Sequence, residues 1–370
     1  MATLRGEPVD RPAVSLYEIG GFHSDPTDPD PFNVYNDPSW LPLLQLAEER
    51  TDIIRMVSPQ LTPSAHNPRD EYFRVEAYEE AGSRFTRTTL EIGGRTLTSL
   101  ERRDRGVDTV WTLEHLLKDE DDVRAYLQLP DEVFDFEVSV DALRGADAAV
   151  GDRGIAMVDI GDPLCSAAEQ FSMADYIMLA FAEPSLFHEL LSKVARGIHE
   201  RVRVVAKAFP GHLWRICGSE YAAEPYLPPR LFDEYVVRYD SPMIEAIRST
   251  GGYPRIHCHG RVKNVAKMIV GMGAAALDPV EPPPQGDVTL AEMRRDYGRD
   301  LVLFGNLEAS DIENMEPAEF EAVVATALRE GTSGEGKGFV LMPSASPYGR
   351  TITERTMRNY ETIVRLAEAA

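Results

Sequence analysis

Cysteine is scarce: Cys165, Cys217 and Cys258 are the only three in 370 residues. An odd and small number in so long a chain excludes a disulfide-stapled scaffold and points to a reducing compartment. Long apolar runs are missing as well, the longest falling far short of the roughly 20 residues that a membrane span needs. The polar opening 1–12 lacks the basic-then-apolar pattern of a secretory signal. A cytoplasmic protein without membrane attachment is expected. Positive charge is the third scarcity. With 38 Lys and Arg against 61 Asp and Glu, the formal net charge is −23, and no basic run is dense enough to overcome repulsion from a phosphate backbone. Nucleic acid is therefore ruled out as a partner, and a small-molecule substrate is expected.

What is present is enough apolar residue, 43%, to build one large core. Eight β-branched runs end at Gly, Asp, Ser or Pro: 13–17, 52–57, 154–160, 213–217, 254–259, 274–279, 301–304 and 338–342. Between the later ones lie helical patterns. Phe187, Leu190, Leu191, Val194, Ile198, Val202 and Val205 form one stripe that stops at Pro210-Gly211. Val262, Val265, Ala266 and Ile269 form another, and 317–330 and 353–369 close the chain. Strand alternating with helix eight times predicts an α/β fold, a (β/α)₈ TIM barrel, as a single domain over 1–370. The segment 84–112 breaks the rhythm by alternating on both sides of Gly93-Gly94, which predicts an antiparallel β-hairpin insertion or lid, followed by a helix near 119–127. The proline-rich stretch 23–38 is read as a loop. Gly331 to Gly338 nearly fits a phosphate-binding loop but precedes a strand rather than opening a helix, so it is read as a turn.

In such a barrel the chemistry comes from the C-terminal ends of strands and the loops beyond them. That filter selects Ser58, Asp159, 217–220, 257–259, 278–281, Asn306 and 344–348. His257 and His259 stand two apart, so in a strand both aim into the barrel mouth. Two imidazoles make half a metal site, and a catalytic zinc usually takes three protein ligands. Glu281, 24 residues after His257 (281 − 257), and Glu220 compete for the third place. The alternative is a hydrogen-bonded polar cleft without metal. Gly305-Asn306 offers an amide for substrate or simply a turn, and Ser344 to Tyr348 is rich in hydroxyls.

The opening Leu4-Arg5-Gly6-Glu7-Pro8-Val9-Asp10-Arg11-Pro12, with Gly218-Ser219-Glu220, His257 to Gly260, Gly305-Asn306 and the last strand, resembles the uroporphyrinogen decarboxylase superfamily. That superfamily joins tetrapyrrole decarboxylases to zinc-dependent methyltransferases serving corrinoid proteins, all on (β/α)₈ barrels, and a homodimer is a family-level expectation. The decarboxylases carry Arg-Gln-Ala-Gly-Arg-Tyr after the opening, where this chain has Glu18-Ile19-Gly20-Gly21-Phe22-His23. Glu18 and Phe22 in place of two guanidinium groups repel or ignore a polycarboxylate. The methyltransferase branch places His-x-Cys at the strand end and a further Cys near the last strand. This chain has His257 and His259 there and Ala345 at the later position. Similar cobalamin-independent methionine synthases add a Glu at the spacing of Glu281. The resemblance thus implies a zinc site of His257, His259 and Glu281, with Glu220, Asn306 and Tyr348 as catalytic candidates and Glu18, His23 and Ser344 toward substrate. It implies a methyltransferase moving a methyl group between a small molecule and a thiol, or a corrinoid carried on a partner protein. The alternatives are a metal-free decarboxylase or lyase using His257, His259 and Glu220, and a non-catalytic tetrapyrrole- or corrinoid-binding barrel.

Overall fold

The computed structural model describes residues 1–17, 19, 30–107 and 109–370. Eight parallel strands form one curled sheet: β1 (Ala13–Val14), β2 (Ile53–Val57), β3 (Gly154–Gly161), β4 (Leu213–Cys217), β5 (Tyr253–His257), β6 (Ala276–Asp278), β7 (Val302–Leu307) and β8 (Phe339–Pro343). From β2 to β8 each strand pairs with the next, and β1 pairs with β8. The remaining seam lies between β1 and β2. Asp52 clasps it, its amide donating to the Val14 carbonyl at 2.7 Å and its carboxylate accepting from the Val14 amide at 2.9 Å and from Arg11 at 2.8 Å. The α/β barrel read from the alternation is the fold found.

Strand period two divides each strand between two cores. Residues facing outward pack under the helices, as with Pro184–Ala208, whose stripe of Leu190, Leu191, Ile198, Val202 and Val205 is buried. Pro184 starts that helix, where its missing N–H costs nothing. Residues facing inward make a smaller core of Ile54, Met157, Leu213, Ala276, Val302, Phe304, Val340 and Met342. Above it the interior turns polar. Arg215 pairs with Asp159 at 2.8 Å and Arg255 with Asp278 at 2.9 Å, and the Arg255 guanidinium lies 4.9 Å from the centre of the Phe304 ring.

Two boundaries differ from the sequence reading in ways that matter. Strand β5 stops at His257, so His259 lies beyond it, next to Gly260 at φ 80°. Strand β7 runs on to Leu307 instead of ending at Phe304. Gly305 is no turn residue: a Cβ there would run into the Pro279 carbonyl, and glycine is what lets the two strands approach.

The insertion is larger than the predicted hairpin. Phe73–Glu80, Ser83–Ile92, Arg95–Asp104 and Val110–Glu114 form a four-stranded antiparallel sheet, with the predicted turn at Gly93-Gly94. The first strand escaped detection because all but Phe73 is exposed, leaving no buried face to set a period of two. Gln60–Pro63 and Phe136–Ser139 pair separately. Ser99, Glu101 and Thr112 of the larger sheet face Glu169, Gln170 and Tyr221 across a cavity of about 480 Å³, which sets the sheet against the loops after β3 and β4. The expected helix forms over Glu120–Tyr126, capped by Asp119, and Gly331 to Gly338 is the helix-to-strand connection expected. No helix among the described residues is long and apolar enough to cross a membrane.

Candidate functional site

The last inward-facing residues of the strands converge at the C-terminal end of the barrel. His257 ends β5 and is buried, and its Nδ1 lies 2.8 Å from Asp278 Oδ2 at the end of β6. An ionised carboxylate can only accept, so Nδ1 carries the proton and the Nε2 lone pair is left over. Burial, against the opposing pull of Asp278, lowers the His257 pKa to about 4, and the imidazole is neutral at ordinary pH. Burial by itself would raise Asp278, but Arg255 and His257 outweigh it and bring its pKa to about 2.

His259 behaves oppositely. Its ring stands edge-on to that of His257 with centroids 4.6 Å apart, and 36% of its side chain is exposed. Its Nδ1 donates to Glu281 Oε1 at 2.7 Å. Burial pulls its pKa down, but the hydrogen bond and charge of Glu281, aided by Glu220, outweigh burial and hold it above the ordinary value. Glu281 is held below the usual carboxylate range, since the same bond, with the Gly260 amide at 2.6 Å, overcomes its own burial. One imidazole is therefore held toward its neutral form and its neighbour toward its charged form.

Around this pair stand carboxyl groups. Glu220, in the turn after β4, accepts from the Gly218 amide at 3.1 Å, and burial raises its pKa. Gly218, at φ 128°, leaves no room for a Cβ beside the Asp162 carboxylate. Glu308, the first residue beyond β7, is 7% exposed and accepts from Ser344 Oγ at 3.2 Å. Burial, then the charge of Glu281, raises its pKa to about 7. Tyr348 is largely exposed, and burial with the charges of Glu308, Glu313 and Glu281 raises its phenol.

The candidates Glu220, His257, His259, Glu281 and Tyr348 thus fall within one electrostatic neighbourhood. Asn306 is buried near the end of β7. Ser344 is turned to Glu308 and to the Ala309 amide, which donates to its Oγ at 3.1 Å. Glu18 and His23 lie outside the described residues. Glu308 was missed by the sequence reading. The signal for it was parity: two residues after Asn306 on a strand that continues through the glycine.

The donor set expected for zinc does not fit as drawn. Glu281 spends one oxygen on His259 and the other on Gly260, so His257, His259 and Glu281 do not converge on one point. Among the described residues no group of three or more His, Cys, Asp or Glu side chains is arranged to hold a metal ion. What the chain offers is the Nε2 of neutral His257 and, once it gives up its proton, that of His259, both on rings oriented by carboxylates.

The family model described as Uroporphyrinogen decarboxylase (URO-D) matches residues 109–364. No curated protein matches the sequence. Among solved structures, a methyltransferase from Methanosarcina mazei superposes with a TM-score of 0.63 at 14% identity, covering 100% of this chain and 96% of that one. A D-psicose 3-epimerase structure in the presence of D-fructose gives 0.37 at 12% identity, over 67% of this chain and 85% of the other. At these identities the likeness to the methyltransferase concerns the fold.

Proposed function

The chain belongs to the uroporphyrinogen decarboxylase family, and we propose that within it this protein is a methyltransferase-like enzyme, moving a methyl group from a neutral or cationic small molecule to a thiol or to a corrinoid on a partner protein. One observation carries this reading. Both guanidinium groups directed into the barrel are already neutralised, Arg215 by Asp159 and Arg255 by Asp278, while Glu220, Glu281 and Glu308 surround the imidazoles. A polycarboxylate entering such a mouth meets like charge, and both inward guanidinium groups are already paired. A methylated amine, ether or thioether meets no such penalty.

The acid–base groups suit a thiol acceptor. Glu220, made more basic by burial, takes the proton, and the His259 imidazolium stabilises the thiolate that results. The thiolate then attacks the methyl carbon, and the bonding pair of the broken bond stays on the donor heteroatom. The test is incubation with methylated amines and ethers plus a thiol or reduced corrinoid, following the methylated product by mass spectrometry. His259→Ala is expected to lower kcat/KM roughly 10²-fold or more. Carbon dioxide release from a carboxylated substrate, with no methyl product, would establish the decarboxylase alternative.

A second reading, zinc-assisted transfer, is favoured by the carboxylate partners on both Nδ1 atoms, the orientation that metal-bound imidazoles take. Zinc would supply Lewis acidity toward the thiol. With two nitrogens offered by the protein, this reading requires the acceptor thiol itself as a donor.

A further inference from the structure

Glu308 is placed where a reacting group belongs, yet half of its carboxyl has nothing to bond. It follows Leu307 at the end of β7, and Ser344 holds it from β8, the Ser344 amide donating to the Leu307 carbonyl at 2.7 Å. The Ala309 amide occupies a lone pair of Ser344 Oγ, so the hydroxyl proton points to Glu308 Oε2. Oε1 is buried with no hydrogen-bond partner among the described residues. A buried carboxylate oxygen without a donor is costly, and a neutral carboxylic acid that accepts at one oxygen and carries its proton on the other costs far less.

We propose that Glu308 enters the reaction as a neutral carboxylic acid whose Oε1–H protonates the departing oxygen or nitrogen of the methyl donor. This rests on the methyl-transfer reading above. The C–O or C–N bond breaks with its electron pair staying on the heteroatom, the methyl carbon joins the acceptor sulfur or cobalt, and the Oε1 proton completes R–OH or R₂NH. The resulting glutamate regains a proton from the one released by the acceptor thiol, or from solvent where the acceptor is a corrinoid.

The groups facing Glu308 explain why it holds that proton. Glu281 comes from the loop after β6 and Asp311 from the helix that Glu308 leads into, both anionic, and Tyr348 adds no positive charge. The Ser344 hydroxyl and, more weakly, His259 from the loop after β5 pull the other way, and burial with Glu281 outweighs them. The neutral form is therefore present up to about pH 7, where an acid catalyst is best matched to its task.

The test has a spectroscopic arm and a kinetic arm. In the infrared difference spectrum of wild type minus Glu308→Gln, a carboxylic acid C=O band is expected at pH 6, disappearing as pH rises through about 7. No band down to pH 5 would overturn the proposal. In the kinetic arm, aryl methyl ethers of graded leaving-group basicity are compared with trimethylsulfonium, whose sulfide leaves without needing a proton, using cob(I)alamin as acceptor. Glu308→Gln is expected to lose at least about tenfold more on the least acidic phenol ether than on the sulfonium, with Glu308→Asp recovering part of the difference. Equal losses on both donors would reduce Glu308 to a structural residue and overturn the proposal. Should wild type methylate nothing, the methyl-transfer reading fails and the infrared band alone decides whether Glu308 is the acid.

Discussion

His259 Nδ1 sits 2.7 Å from Glu281 Oε1, and this contact gives two residues expected to share a metal a different division of labour. The imidazolium is kept charged by the carboxylate, and the carboxylate is kept ionised by the imidazolium. In the proposed reaction Glu281 would act through His259.

Replacing Glu281 by Gln keeps the shape and removes the charge. The His259 pKa is expected to fall below its wild-type value, read from the imidazole proton shifts in an NMR pH titration. The sign for stability follows from both partners. The contribution of His259, whose folded pKa is raised, is complete below its unfolded value of about 6.5 and lost as pH rises through the folded value. That of Glu281, whose folded pKa is lowered, is present above about 4.3 and lost as pH falls through the folded value. The pair therefore stabilises most between those limits, and Glu281→Gln should lower the melting temperature there and little at pH 9. A His259 pKa unchanged in the variant would dissolve the pairing.

Asp278 is the second pivot. It is fully buried, holds His257 by Oδ2 at 2.8 Å and pairs with Arg255 by Oδ1 at 2.9 Å. Asp278→Asn leaves the buried Arg255 cation without its counter-charge, a loss of about 3 to 5 kcal/mol by the behaviour of broken buried pairs. Urea unfolding should show a midpoint shift of that size. A change under 1 kcal/mol would mean that Arg255 finds another partner.

Much of this was legible in the sequence, and the exceptions have physical causes. The barrel strands announce themselves because both faces are buried, giving apolar runs such as Leu213–Cys217 and Phe339–Pro343. His257 and His259 stood out by strand-end position. Their division into a neutral and a charged imidazole did not, because it depends on Asp278 and Glu281, each about 20 residues on in sequence and brought alongside by strand pairing. Glu308 was hidden by Gly305-Asn306, which reads locally as a turn, whereas Gly305 serves close passage past Pro279 and the strand continues. The first insertion strand, exposed except at Phe73, carries no pattern to read.

The metal question has a discriminating form. With Glu281 committed to His259 and Gly260, any zinc bound at the mouth should depend on His257 and His259 directly and on Glu281 only weakly. Elemental analysis of protein purified without a histidine tag or chelator, beside His257→Ala and Glu281→Ala, measures this. About one zinc per chain lost equally in both variants would restore the three-ligand set read from the sequence.

Behind the mouth, Asp162 and Asp240 make a test of stability alone. Both are fully buried, and Asp162 Oδ2 and both Asp240 oxygens have no hydrogen-bond partner among the described residues, surroundings that disfavour a charged carboxylate. Burial drives both pKa values up, and at Asp162 the charge of Asp240 adds to it. Asp162 also caps the short helix Pro163–Ala168 through the Cys165 amide, so Asp240 is the residue to change. A carboxyl with a raised folded pKa contributes most below its unfolded value of about 3.9, and that contribution is lost as pH rises through the folded value. Asp240→Asn keeps the shape of the side chain and no longer titrates. Its stability relative to wild type should therefore increase with pH from about 4 upward, reaching a gain on the order of 1 to 3 kcal/mol at pH 8. Melting curves of the two proteins should separate progressively as pH rises. Parallel curves, with the variant less stable at every pH, would mean that burial does not raise the Asp240 pKa.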